Sequence, residues 1–221
     1  MSIYAIGDLH LSHQVEKPMD IFGDGWANHS MQIETNWRQT VSDGDTVILP
    51  GDFSWATYLG QAEEDFLFLE RLPGKKIMLK GNHDYWWETV SKMKGFLDSL
   101  DINSVSFLYN NSICEEGRCF VGTKGYDTEN EKDAKIRERE AIRFGISLES
   151  CTGFSKERIA VFHFPPCNNP IFIDMMKRNG IERCLFGHIH GYSDKPVEFE
   201  SDGILYTNVS ADRIGFKPVL I

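Results

Sequence analysis

Apolar and polar positions along the chain follow two periods. The runs IYAIGDLH at the start, TVILPGD at 46–52, KIMLKGNHD at 76–84, RIAVFHF at 158–164 and RCLFGHIHG at 183–191 are rich in β-branched and other apolar residues and stop abruptly at polar clusters. Such runs read as buried strands. Segments between them, at 30–41, 61–71, 86–100, 131–149 and 170–179, carry apolar residues at helical spacing. Strands alternating with helices predict an α/β sheet covered by helices. The last third adds antiparallel strands: KPVEFESDGILYTNVSAD alternates around Asp202-Gly203, a strong hairpin signal. SICEEGRCFVG at 112–122 predicts another hairpin over a Gly-bearing turn, and NEKDAKIREREAIR a charged helix with a solvated face. No repeat, low-complexity segment or linker divides the chain, so residues 1–221 are expected to form a single domain.

Composition narrows the class without changing that picture. With 41% hydrophobic and 25% charged residues the chain is ordinary for a globular protein. MSIYAIGDLH lacks the basic and long apolar regions of an export signal, and no apolar run approaches the roughly 18 residues of a membrane span. A cytoplasmic protein, off the membrane, is expected. Cys114, Cys119, Cys151, Cys167 and Cys184 show no CxxC spacing; an odd set of this kind suits neither a disulfide framework nor a thiolate zinc site and is expected to be reduced. The net charge of −10 argues against nucleic acid as a partner, because phosphate-backbone binding needs clustered Lys and Arg. It says little about a small anion, since a metal pair reverses the field locally.

Candidate chemistry gathers where the strands end. His10, His83, His163, His188 and His190, five of the seven histidines, stand at or just past a strand end, with Asp8, Asp52 and Asn82 beside them. In open α/β sheets, ligands bind outside the carboxyl ends of the strands. Singly, each residue has an ordinary reading: an Asp after Gly is a turn residue or helix cap, and a His beside apolar residues is a hydrogen-bonded core group. Convergence of five segments on one edge makes coincidence the costlier explanation. Imidazole, carboxylate and carboxamide without thiolate suit Mn²⁺, Fe, Zn²⁺, Co²⁺ or Ni²⁺. Seven such ligands exceed what one tetrahedral ion uses. Two ions sharing a carboxylate use them all, and a pair about 3.5–4 Å apart can bind the attacking and the leaving oxygen of an in-line displacement. Against two Asp ligands and a bridging hydroxide, two divalent ions leave roughly +1, a sign that suits phosphate.

GDLH, GD, GNHD, HFPP and GHIHG, in that order from residue 7 to 191, resemble the calcineurin-like metallophosphoesterase superfamily. The resemblance implies a four-layer α/β-β/α sandwich, two facing mixed β-sheets flanked by helices, in place of one simple sheet. It implies that Asp8, His10, Asp52 and His190 hold one divalent ion and that Asp52 bridges to a second, completed by Asn82, His163 and His188. It further implies hydrolysis of a phosphomonoester or phosphodiester by a metal-bridging hydroxide, with His83 as the catalytic residue that protonates the leaving oxygen. Imidazole suits that task because its unperturbed pKa lies near working pH. A dinuclear, metal-dependent phosphoric ester hydrolase acting on a small-molecule phosphoester is therefore expected.

Departures from the superfamily's protein Ser/Thr phosphatases bear on the substrate. GDFSWATY and GNHDYWW lack the Arg residues of those enzymes, which speaks against a protein substrate and leaves His83 without an assigned carboxylate partner. Asp84 is adjacent to it and reads equally as a helix N-cap before Tyr85-Trp86-Trp87. Trp55, Tyr85, Trp86 and Trp87 follow metal motifs closely enough to border a pocket, although most large aromatics are core. Residues 10–30 have no clear period and are expected to form a loop covering the site, with His13 and His29 as candidates for substrate contact. Cys167 reads as a small buried hydrophobe and Arg213 as a surface residue. The rivals are a nuclease, which the acidic balance opposes, a non-catalytic scaffold, which needs neither a full ligand set nor a proton donor, and an iron oxygenase, which would leave Asp52 and Asn82 idle.

Overall fold

In the computed structural model, which describes residues 1–126, 134–152, 157–191 and 196–221, the strands form two mixed sheets. The first contains β1 (Ile3–Ala5), β2 (Thr46–Leu49), β3 (Lys75–Met78) and β4 (Val105–Phe107), all parallel, with β11 (Val219–Leu220) antiparallel beside β1. In the second, β6 (Arg118–Thr123), β7 (Arg158–Phe162), β8 (Arg183–Phe186) and β10 (Ile204–Asn208) are parallel neighbours, edged by β5 (Ser112–Glu115) and β9 (Glu198–Ser201) in hairpins.

Strand alternation explains why the sheets face each other. Successive side chains point to opposite faces of a sheet. In β2, Val47 and Leu49 join one core while Ile48 joins another; in β7, Ala160 and Phe162 separate in the same way from Ile159 and Val161. The inner residues Ile3, Ile48 and Ile77 meet Phe120, Val161 and Leu185 across the middle of the sandwich. Outer faces are covered by helices. From α1 (His29–Thr40), α2 (Glu63–Glu70) and α3 (Val90–Ser99) come Trp37, Phe66 and Met93. From α4 (Ala134–Ser150) and α5 (Pro170–Arg178) come Phe144 and Phe172 on the second sheet. Each such side chain, removed from water, contributes about 1.5–3 kcal/mol. The result is the four-layer sandwich rather than one covered sheet.

Both hairpins turn on two residues at positive φ, Glu116-Gly117 (49° and 76°) and Asp202-Gly203 (55° and 76°), as a type I′ turn requires. The first hairpin corrects the expectation of reduced cysteines throughout. Its register sets Cys114 directly opposite Cys119 with their Cα atoms 4.1 Å apart, and the two form a disulfide. Cys151 and Cys184 are buried free thiols, and Cys167 is half-buried against the α4–α5 side of the core.

The helix expected over 86–100 starts only at Val90, where Thr89 accepts a hydrogen bond from the Lys92 amide. The residues before it are spent in a turn that buries Trp86 and Trp87. Part of the charged stretch at 130–143, and of the helix expected from 131, lies outside the described residues. Within the described part, Glu140 is buried rather than solvated, held by Thr123 and Arg143. No helix among the described residues is long and apolar enough to cross a membrane.

Candidate metal centre

Parallel strands present their carboxyl ends together, and the loops leaving β1, β2, β3, β7 and β8 meet at one edge where the sheets adjoin. Asp8 and His10 follow β1, Asp52 follows β2, Asn82 and His83 follow β3, His163 follows β7, and His188 and His190 follow β8. Two donor groups form. In the first, one ligand atom each from Asp8, His10 and His190 lie within 4.8 Å of one another; His10 Nε2 is 3.3 Å from His190 Nε2. In the second, Asn82 Oδ1 stands 2.5 Å from His163 Nε2 and 3.0 Å from His188 Nδ1. Asp52 Oδ2 lies between them, 3.8 Å from His10 Nε2 and 3.5 Å from His163 Nε2. All seven residues proposed as ligands from the sequence are thus brought together.

Local backbone geometry aims these groups. Asp8, His10, Asp52 and His188 all sit at positive φ (54°, 46°, 51° and 70°), a conformation that L-residues other than Gly rarely adopt and that clusters at functional sites. The motif glycines leave room for the carboxylates: a Cβ on Gly81 would overlap the amide and carboxylate of Asp52, and one on Gly187 would overlap the Asp8 carboxylate. Asp84 ties two loops together. Its buried carboxylate accepts from the amides of Asp52 (2.9 Å), Phe53 (2.9 Å), Ser54 (3.3 Å) and Gly81 (2.7 Å), and from Trp86 Nε1 (3.0 Å). It is therefore neither the partner of His83 nor a helix cap, the two readings its position suggested.

Two of the imidazoles are also anchored on their far sides. His190 Nδ1 meets Asp212 Oδ1 at 2.9 Å, and Asp212 Oδ2 accepts from the Gly191 amide. His163 Nδ1 meets the Pro50 carbonyl at 3.0 Å. Such outer contacts fix ring orientation and tautomer for metal binding.

The electrostatics call for a cation. Burial, then the neighbouring Asp84 and Asp8, push the Asp52 carboxyl up to about 9, and burial pushes Asp8 up to about 6 despite His190. Burial, with neighbouring histidines adding to it, holds His10 and His163 well below the usual imidazole value. Burial also opposes charging of His190, but the Asp212 hydrogen bond and the Asp8 charge prevail and raise it. Asp52 Oδ2 and His10 Nδ1 are buried without a hydrogen-bond partner. Carboxylates that the protein alone does not neutralise, facing imidazoles held neutral, are a donor set that fits divalent ions.

Around this edge lies a cavity of about 320 Å³. Met19, Phe22 and Trp26 of the 10–30 loop and Trp55 give it an apolar wall, beside His10, His83 and His190. Trp55 stacks on His10 at 4.9 Å and packs on His83 at 4.4 Å between ring centroids. The amide of His83 donates to Asp52 Oδ1 at 2.8 Å; its ring Nδ1 lies 3.5 Å from the Tyr85 hydroxyl, and no carboxylate among the described residues makes an ion pair with it. Burial, then the charges of His190 and Lys17, lower its pKa.

The other candidates resolve separately. Trp86 and Trp87 are core, and Tyr85 is exposed. His13 is held by Asp65 at 2.6 Å, and His29 packs under the loop with Nε2 3.3 Å from the His10 carbonyl, so neither lines this cavity. Arg213 is half-buried and donates to the Gly191 carbonyl at 3.0 Å. Sequence reasoning missed Asp212, Trp26 and Phe22. The only signal for Asp212 was its place just past the last inner strand, at the same sheet edge.

A four-layer α/β sandwich with a carboxylate–imidazole cluster at the joint carboxyl edge of its sheets defines a class of protein with a candidate metal site. The family model for calcineurin-like phosphoesterase matches residues 1–192, and the chain belongs to that family. Among solved structures, the phosphopantetheinyl hydrolase PptH from Mycobacterium tuberculosis matches with a TM-score of 0.60 and 16% identity, covering 100% of this chain and 95% of that one. A protein of unknown function, AQ665 from Aquifex aeolicus, matches with a TM-score of 0.57 and 18% identity over 99% of this chain and 95% of that one. TT1561 of Thermus thermophilus matches with a TM-score of 0.53 and 13% identity over 99% and 97%. At these identities the likeness shows the fold. No curated protein sequence matches the chain.

Proposed function

We propose that the protein is a dinuclear metal-dependent phosphoesterase that hydrolyses a phosphomonoester or phosphodiester of a small molecule. The observation that carries this reading is Asp52 Oδ2, buried without a hydrogen-bond partner and faced by His10 Nε2 at 3.8 Å and His163 Nε2 at 3.5 Å. Asp8, His10, Asp52 and His190 would hold one ion, and Asp52, Asn82, His163 and His188 the other. Divalent ions bound there supply Lewis acidity toward the phosphoryl oxygens and a water acidic enough to act as nucleophile near neutral pH.

The chain's own residues supply the rest. Asp84 holds the loops of Asp52 and Asn82 in register through their backbone amides. His83, fixed through its amide on Asp52 and packed on Trp55, is the group that donates a proton to the leaving oxygen. Met19, Phe22, Trp26 and Trp55 exclude water on that side and offer an apolar surface to the leaving group. A small organic alcohol suits a cavity of about 320 Å³, near the lower end of ligand sites, which run to roughly 300–1,000 Å³.

The test is hydrolysis of p-nitrophenyl phosphate and bis-p-nitrophenyl phosphate by protein reconstituted separately with Mn²⁺, Fe²⁺, Co²⁺, Ni²⁺ and Zn²⁺, beside Asp52→Ala. Turnover that depends on metal and disappears in the variant supports the reading, and the preferred ester separates monoesterase from diesterase. Two bound ions per chain with no turnover of either ester would overturn it in favour of a binding scaffold.

A further inference from the structure

A second cavity, of about 210 Å³, shares no lining residue with the apolar one. Lys80, Lys124, Arg139 and Arg143 line it, with Glu140 the single carboxylate among the lining residues. Four cations around one small cavity are unexpected in a chain with 33 acidic against 23 basic residues. They repel one another: Lys80 feels Lys124 and Arg143, and Lys124 feels Arg139 and Arg143. Glu140 offsets one of the four charges: it pairs with Arg143 Nη1 at 2.6 Å and accepts from Thr123 Oγ1 at 2.6 Å, while Asp84 also attracts Lys80 and Asp52 attracts Lys124.

Its walls lead back to the candidate metal centre. Lys80 immediately precedes Gly81-Asn82. The carbonyl of Lys124 accepts from the amides of His163 and Phe164, its ammonium lies 5.8 Å from the centre of the Phe164 ring, and that ring is 4.3 Å from the ring of His188. The cavity therefore adjoins the Asn82–His163–His188 half of the cluster, whereas the apolar cavity adjoins the His10–His190 half. Its volume falls below the roughly 300 Å³ at which sites for whole organic ligands begin, which leaves room for a compact group. Like-charged side chains gathered at a partly buried site are stabilised by a bound counter-charge. A phosphoryl group has the acceptor oxygens to take several lysine and arginine donors at once.

We propose that this cavity is a second anion site, which takes a phosphoryl group other than the one undergoing hydrolysis. As a substrate subsite, the inference rests on the phosphoesterase reading; as an anion site it does not. The phosphoryl group belongs either to a substrate that carries a second phosphate or to free phosphate.

The experiment is calorimetric titration of the full-length, metal-loaded protein with inorganic phosphate, in parallel with the double variant Lys80→Gln/Lys124→Gln. Melting curves establish that the variant is folded, and Lys80→Arg/Lys124→Arg serves as the charge-conserving control. Two phosphate sites per chain in the native protein and one in the glutamine variant are expected, with both sites restored in the arginine variant. If the metal reading is wrong, the count falls from one to zero instead, so the two ideas fail separately. Loss of even one of the two lysine contacts should weaken the site about tenfold. The same number of sites at unchanged affinity in the glutamine variant would overturn the proposal. Kinetics then separates the sources. A KM for a bisphosphate ester lower than for the matching monophosphate, with the difference abolished by Lys124→Gln, assigns the site to substrate; equal KM values assign it to free phosphate.

Discussion

Asp84→Asn removes one negative charge and almost no volume, yet it should be among the most destabilising substitutions in the chain. Oδ2 accepts from the amides of Asp52 and Gly81, and Oδ1 from the amides of Phe53 and Ser54 and from Trp86 Nε1. A carboxamide keeps only one oxygen. Whichever way it turns, its NH₂ faces donors, and the less costly orientation sacrifices the pair on Oδ2. Hydrogen bonds to a charged group contribute about 1.5–3 kcal/mol each, so the loss of two comes to about 3–6 kcal/mol. In a chain of this size that is a fall of roughly 10–20 °C in Tm. Relief of burial and of repulsion opposes it: burial raises the Asp84 carboxyl above its ordinary value and Asp84 repels the Asp52 carboxylate, so its neutralisation removes both costs. Urea unfolding of both proteins with chelator and again with saturating metal separates the two effects, since a ligand of the native state adds its binding energy to stability. The reasoning predicts the full loss in chelator. A variant within about 1 kcal/mol of the native protein there would show that the five donors find other acceptors and that Asp84 is not what joins the loops.

Three further outcomes follow from the same contacts. Asp212→Ala frees His190 Nδ1 and the Gly191 amide and should weaken metal binding about 10–100-fold, read by metal titration; unchanged affinity would place His190 outside the ligand set. His83→Ala should lower kcat/KM about 10²–10⁴-fold on an alkyl phosphoester and far less on a p-nitrophenyl ester, whose leaving oxygen needs no proton; equal losses on both would remove it from the proton-donor role. Lys76 is fully buried against the Leu72 carbonyl and Ser104, and burial, against the pull of Glu70 and Asp43, lowers its ammonium from 10.5 to about 8. The folded state thus binds this proton less tightly than the unfolded state, a penalty complete below pH 8 and relieved as pH rises toward 10.5. The stability of the native protein relative to Lys76→Met should therefore improve by about 2 kcal/mol between pH 7 and 9.5, and a flat difference would refute the assignment.

The parts of the centre legible in the sequence are those whose side chains both mark a strand end and carry the chemistry. Asp8, Asp52 and His163 do so within one short run each, and the alternation of Val47, Ile48 and Leu49 contains the two faces of the first sheet. What stayed hidden depends on partners that no local pattern contains. Asp84 acts on backbone amides 30–32 residues earlier in the chain, which have no side-chain signature. That fold of the loop also takes Trp86 and Trp87 out of a segment whose spacing is helical and delays α3 to Val90. Asp212 reaches His190 across 22 residues, after the β9–β10 hairpin.

The basic cavity was illegible for a related reason. Lys80, Lys124, Arg139 and Arg143 come from the ends of two strands and from one helix, with no basic run to announce them, and in α4 the two arginines sit within a stretch whose mixed charges read as solvated. Net charge therefore misdirects here in a specific way. An excess of acid over the whole chain speaks against a long polyanion, while four cations gathered from three elements would suit a short one. On the proposed reading, apolar walls beside His10, His83 and His190 would take an apolar leaving group, and basic walls near Asn82 and His163 a compact second anion, whether it is carried by the substrate or is free phosphate.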